Sequence, residues 1–162
     1  MRLKSALLAA GLGLAIMPAT YAATATGTLN LSITIQASCT VVSATAINFG
    51  SMATIAANVD QTSTLTVNCS STTPYNVGLG VGGGSGATVA TRKMTSGSDV
   101  VNYTLYRDAS RTQVWGETIG TDTVTGTGTG ANQTLTIYAR VPSQAVPPPG
   151  TYTDAVTITV TY

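Results

Sequence analysis

Apolar residues fall at every second position in several short stretches of this chain, and the first of these is the most regular. In residues 24–39, TATGTLNLSITIQASC, the side chains of Leu29, Leu31, Ile33 and Ile35 alternate with Asn30, Ser32 and Thr34. An extended backbone therefore places four aliphatic groups on one face and polar groups on the other. The stretch precedes the first cysteine, so it forms a short N-terminal arm. Such an arm either folds back into its own domain or reaches into another molecule.

The same period predicts further strands at 39–42, 46–49, 60–68 (DQTSTLTVN), 75–81, 92–95, 100–107 (VVNYTLYR), 113–115, 133–141 (QTLTIYARV) and 152–162 (YTDAVTITVTY). No apolar period of 3.6 is sustained between them, and Thr, Val, Tyr and Gly dominate. Turn chemistry separates the runs: 70–74, the GGGSG loop at 82–86, and PPPG at 147–150. The alternating Thr and Gly of 121–130 predict a mobile hairpin or loop. Tyr103 and Tyr106 are three apart, so one belongs in the core and the other outside. With about seven or eight strands beside the arm, the fold class is an all-β sandwich. In the last run Val156, Ile158, Val160 and Tyr162 share a face. Read as central in its sheet, that strand has nothing after it to cover its second edge, and something must pair there.

Arg2 and Lys4, an apolar segment over 6–17 and the small residues of Thr20-Tyr21-Ala22 predict a secretory signal peptide spanning 1–22, cleaved after Ala22. The apolar core is shorter than the ~20 residues of a membrane-spanning helix. Removing 22 of the 162 residues leaves 140, which suits one domain. Arg2 and Lys4 leave with the leader, so five cations face six acids and the net charge of +1 becomes about −1. That balance offers nothing to nucleic acid or an anionic membrane. Only 8% of residues are charged, so exposed strands lack the charged gatekeepers that oppose edge-to-edge pairing. Cys39 and Cys69, an even count in an exported chain, predict one structural disulfide.

The chain has no histidine, which removes triads with a histidine base and His-ligated metal sites, and no catalytic residue, metal or cofactor is expected. Asp99, Asp108 and Glu117 lie beside turns, where acids usually cap backbone, so they do not make a glycosidase pair. Arg107-Asp108 is expected to form a turn supported by Arg111. Trp115 with Tyr103 and Tyr106 is the one candidate for sugar stacking, although a lone Trp among strands belongs more often to the core.

The order and spacing of GTLNLSITIQASCTV, INFG, LTVNCSSTTPYNVGL, RKMTSGSDVVNYTLYRDASRTQVWG and GTYTDAVTITVTY resemble the spore coat protein U domain family, whose members include pilins of archaic, Csu-type chaperone-usher pili. The resemblance covers essentially the whole chain after the leader. It implies an incomplete immunoglobulin-like sandwich lacking its last strand, over residues 37–162, with 23–36 as a donor-strand arm. A periplasmic chaperone would first lend a strand to the open groove, and the arm of a sibling subunit would replace it at the outer-membrane usher. On this chain the implied donor residues are Leu29, Leu31, Ile33 and Ile35. The implied groove is flanked by the strand carrying Val156, Ile158, Val160 and Tyr162 and by the early strand at 39–42. The family pattern also marks Cys39 and Cys69 as the bridged pair. The expected product is a cell-surface fibre of identical or related subunits serving adhesion and biofilm formation. The alternatives are a protective spore or cell-coat component and a carbohydrate-binding adhesive sandwich.

Overall fold

The computed structural model describes residues 21–162. The expected leader lies outside the described residues except for Tyr21 and Ala22. The chain divides into two units, the second running from Ile35 to Tyr162. The described part of the first, residues 21–34, is exposed throughout and carries no helix or strand.

The second unit contains β1 (Cys39–Ala44), β2 (Val59–Cys69), β3 (Pro74–Leu79), β4 (Arg92–Ser96), β5 (Asp99–Tyr106), β6 (Val124–Thr127), β7 (Asn132–Val141) and β8 (Ile158–Thr161). All ladders are antiparallel, in a five-stranded sheet ordered β1-β2-β7-β5-β4 and a three-stranded sheet ordered β6-β3-β8. No helix among the described residues is long and apolar enough to cross a membrane.

Side-chain alternation decides which face of each strand turns inward. From the large sheet β2 buries Leu65, Val67 and Cys69, β7 buries Ile137, Ala139 and Val141, and β5 buries Val101, Tyr103 and Leu105. From the small sheet β3 opposes them with Tyr75, Val77 and Leu79. Trp115 is fully buried between these layers, and its indole N–H donates to the Val77 carbonyl at 2.8 Å. The long β2–β7 ladder runs from Val59↔Val141 to Asn68↔Asn132 and turns threonines outward in the pairs Thr64↔Thr136 and Thr66↔Thr134. At its end Arg140 grips Asp60 through two bonds of 2.7 and 2.8 Å, and that contact holds the Asp60 carboxyl below its usual range.

Four segments differ from the sequence expectation. Residues 46–49 form no strand, although Ile47 and Phe49 are half-buried. The 113–115 piece reduces to a single bridge, Tyr106↔Val114. The Thr-Gly stretch is no loose loop, since Val124–Thr127 pairs with β3. Its glycines are required by close approach: a Cβ on Gly126 would sit 2.4 Å from the Tyr75 ring, and one on Gly128 would sit 2.2 Å from the Ser70 carbonyl. The C-terminal run is a strand only over Ile158–Thr161, at the edge of its sheet rather than the centre, with an isolated bridge between Thr95 and Thr153 upstream.

Cys39 and Cys69 are bridged and stand directly opposite each other in the β1–β2 ladder. The bridge spans a sequence separation of 30, so it restrains the unfolded chain by about 3 to 4 kcal/mol. Changing both residues to serine should lower the urea midpoint by a corresponding amount and reduce the yield of folded protein. An unchanged midpoint would show that the bridge does not stabilise the domain.

Candidate functional site

Two features stand out from the packed core, one on each unit. On the arm, Leu29, Leu31 and Ile33 are 83%, 84% and 85% exposed, and Ile35, the first residue of the second unit, is 79% exposed. Four large aliphatic side chains in solvent at alternate positions are far from the usual scatter of single exposed residues. In extended form the comb is about 20 Å long.

On the second unit, the two sheets leave a cleft that reaches the core. One wall runs from Ala44, the last residue of β1, to Phe49, and the other from Tyr152 to Ile158, the first residue of β8. The floor is the inner face of the sandwich: Leu79 of β3, Met94 of β4, Tyr103 and Leu105 of β5, and Ile137 of β7. This part of the cleft holds about 380 Å³. It shares Ile47, Phe49, Met94 and Tyr152 with an adjoining chamber of about 760 Å³, where Ile55, Val101 and Val141 form the floor beneath Met52 and the prolines 147–149.

The cleft is flanked by backbone that has partners on one side only. β1 pairs with β2 alone and β8 pairs with β3 alone; the two run near each other, yet no ladder joins them. Among the described residues, no backbone–backbone hydrogen bond engages 46–54. Backbone groups left this way favour pairing with an added strand.

Of the residues expected to flank the groove, Val156, Ile158 and Val160 are half-buried and pack against the core from the wall and from β8. Tyr162 lies past the strand end and is 58% exposed. On the other side the lining comes from 44–49 rather than from 39–42, where Val41 and Val42 point to solvent.

The floor was not legible as a site, because Leu79, Leu105 and Ile137 carry the same kind of aliphatic side chain as the rest of the core. Asp154 was also missed. It falls on the inward face between Tyr152 and Val156, and a carboxylate breaking an apolar alternation was the signal.

Several of the residues weighed for other chemistry have structural partners. Trp115 is fully buried and Tyr103 is buried, while Tyr106 is half-buried, so these three residues form no aromatic platform facing solvent. The Asp108 carboxylate accepts from the Ser110 hydroxyl and from the backbone N–H of Thr112 and Gln113, and these bonds hold it well below the usual carboxylate range. Arg107 ties this turn to the Thr123 and Thr121 carbonyls at 2.9 and 3.1 Å. Arg111 supports the turn as expected, donating its backbone N–H to the Asp108 carbonyl at 3.1 Å and Nη1 to the Ala109 carbonyl at 3.3 Å, and it also reaches across to Asp60 at 3.4 Å and lies over the Tyr138 ring. Asp99 ends the β4–β5 turn opposite Ser96.

The model of the Spore Coat Protein U domain matches residues 25–159. The chain belongs to the Spore Coat Protein U domain family. A curated relative, Protein U of Myxococcus xanthus, is 34% identical over 156 residues, covering 87% of each chain. The Spore Coat Protein U domain chain is also similar in fold to a chain in the crystal structure of the CsuC–CsuE chaperone–tip adhesion subunit pre-assembly complex from the archaic chaperone-usher Csu pili of Acinetobacter baumannii. The TM-score is 0.55 at 24% identity, over 80% of this chain and 40% of that one, so this chain spans less than half the length of that neighbour. The fold is all-β and immunoglobulin-like.

Proposed function

We propose that this protein is a structural subunit of a surface fibre, in which the open cleft of one subunit takes up the N-terminal arm of another. The observation that carries this reading is the complementarity within one chain: an exposed comb of Leu29, Leu31, Ile33 and Ile35, and an apolar cleft open to the core between singly paired strands. An inserted strand would cover the floor residues and satisfy backbone that now has no partner.

Rough energetics support assembly that is slow to reverse. Burying four aliphatic side chains contributes about 6 to 12 kcal/mol, and each new backbone bond about 1 kcal/mol. Ordering about ten residues of arm costs roughly 10 to 20 kcal/mol. Since these nearly cancel, permanence would come from the unfolding barrier of the completed sandwich.

In this reading the subunit is exported, met by a periplasmic chaperone that fills the cleft temporarily, and delivered to an outer-membrane usher for a homopolymer or mixed fibre that supports adhesion and biofilm formation. The Csu complex, named for a chaperone and a subunit, supports the chaperone step. No catalysis, metal or cofactor enters the scheme. A protective coat built from the same polymer is the second reading, favoured by the family's description, and electron microscopy of the native assembly separates a fibre from a shell.

The test uses the mature chain with Leu31→Asp and Ile33→Asp in its arm, which leaves the cleft free and unable to fill a sibling's. A fluorescent peptide of residues 27–36 with the natural sequence should bind it stoichiometrically and dissociate over hours. A peptide carrying the two aspartates should not. Equal capture of both peptides, or of neither, would overturn the reading.

A further inference from the structure

The wall of the cleft that leads into β8 is short of backbone support. Between the Thr95↔Thr153 bridge and the first β8 pair, Leu79↔Ile158, its one backbone bond is Gly80 N–H to the Thr157 carbonyl at 2.9 Å. What holds this stretch in place is a side chain. Asp154 points inward where the alternation of Tyr152, Val156, Ile158 and Val160 calls for an apolar group. Its carboxylate accepts from the Tyr103 hydroxyl at 2.6 Å, from the Gly83 N–H at 2.7 Å and from the Ala155 N–H at 2.8 Å.

Each partner is fixed in turn. Tyr103 rises from the cleft floor on β5 and is 5% exposed, and burial together with the Asp154 bond pushes its phenol up. The loop over the carboxylate must be glycine: a Cβ on Gly82 would stand 2.0 Å from Asp154 Oδ2, and its φ of +84° is one that other residues rarely adopt. The glycine run at 82–84 thus has a packing reason as well as a loop role.

The geometry points to Asp154 and Tyr103 as the positioning pair of the cleft: a floor-to-wall tie that holds residues 152–158 extended before any strand arrives. This rests on the strand-accepting reading. An incoming strand needs a preformed edge to pair with, and a wall free to fray would have to be ordered during uptake, which weakens and slows binding. Each tie is a charge-assisted hydrogen bond at the rim of an apolar site, where loss of one such bond is worth about tenfold in an equilibrium.

The test uses the arm-blocked mature chain (Leu31→Asp, Ile33→Asp) as parent and the natural 27–36 peptide as probe. Tyr103→Phe and Asp154→Asn should each weaken capture about tenfold, with the double variant less than a hundredfold worse because they remove the same tie. Val67→Ala is the control, since Val67 is buried core outside the cleft. It should lower the melting temperature at least as much while capturing peptide as the parent does. Capture that follows melting temperature across all three variants, or Tyr103→Phe and Asp154→Asn capturing like the parent, would overturn the proposal. If the parent captures no peptide, the strand-accepting reading fails. Amide exchange then judges the tie by itself: amides of 155–158 opening no faster in Tyr103→Phe than in Val67→Ala would overturn it too.

Discussion

Replacing Arg92 by methionine should destabilise the second unit by roughly 4 to 6 kcal/mol, a large share of a typical domain's total stability. The side chain is fully buried, and every bond it makes goes to a neutral carbonyl: Nε to Gly80 at 2.7 Å, Nη1 to Val89 at 2.8 Å, and Nη2 to both Leu79 and Trp115 at 2.7 Å. One guanidinium therefore joins the end of β3, the turn before β4 and the segment carrying the core tryptophan. No carboxylate lies in ion-pair range of it among the described residues. Burial pushes its pKa down, while Tyr103, Glu117, Asp154 and Asp122 act the other way. Methionine fills much of the same space and donates nothing, leaving four carbonyls buried without partners at about 1 to 3 kcal/mol each, less what entering water recovers. Urea unfolding with the disulfide intact should show a lower midpoint and an unchanged slope. Lysine, a point donor without the planar fork, should recover only part of the loss. A methionine variant within 1 kcal/mol of the natural protein would show that the network is incidental.

The large sheet was readable because its strands obey a simple rule. In β2 and β7 the residues that alternate in the sequence also alternate in burial, as Leu65 and Val67 and Ile137 and Val141 show, whereas in β5 the spacing of Tyr103 and Tyr106 said only that one of them is core, and Thr104 is buried between Tyr103 and Leu105. The rule failed where a strand lacks side chains to show it. In β6 one of the two inward positions is Gly126, whose space the Tyr75 ring occupies, and Gly128 just past the strand is packed in the same way against the Ser70 carbonyl, so a stretch that packs partly by absence reads as a loop. It failed again at 152–162, where the period continues through Asp154 but the chain bridges to β4 at Thr153 before pairing with β3 from Ile158. Periodicity reports which face is apolar and does not report which neighbour, if any, lies alongside. For the same reason the comb at Leu29 to Ile35 was visible and its exposure was not. A strand pattern is equally consistent with a place in its own sheet and with one in a sibling's.

That ambiguity is resolved by charging the comb. Aspartate at both Leu31 and Ile33 should abolish fibre growth while leaving the cleft able to receive a natural arm. Each substitution forfeits about 1.5 to 3 kcal/mol of apolar burial and asks a carboxylate to enter a cleft floored by Leu79, Leu105 and Ile137, at a further cost of several kcal/mol unless it is protonated. Together the two should lower the donor's affinity on the order of a thousandfold or more. Nothing in the receiving unit changes, since the core and its cleft are built from residues of β1 onward. The expected pattern is therefore asymmetric. The variant alone gives no heat- and detergent-resistant ladder on gels, yet mixed with natural subunits it is incorporated once, by receiving the free arm of a fibre, and stops growth at that end because it cannot offer one. A substoichiometric dose should shorten the fibres seen by electron microscopy in proportion to its mole fraction. Fibres of natural length from the variant alone would remove the arm from assembly, and loss of growth without incorporation at chain ends would place the arm's role inside its own subunit.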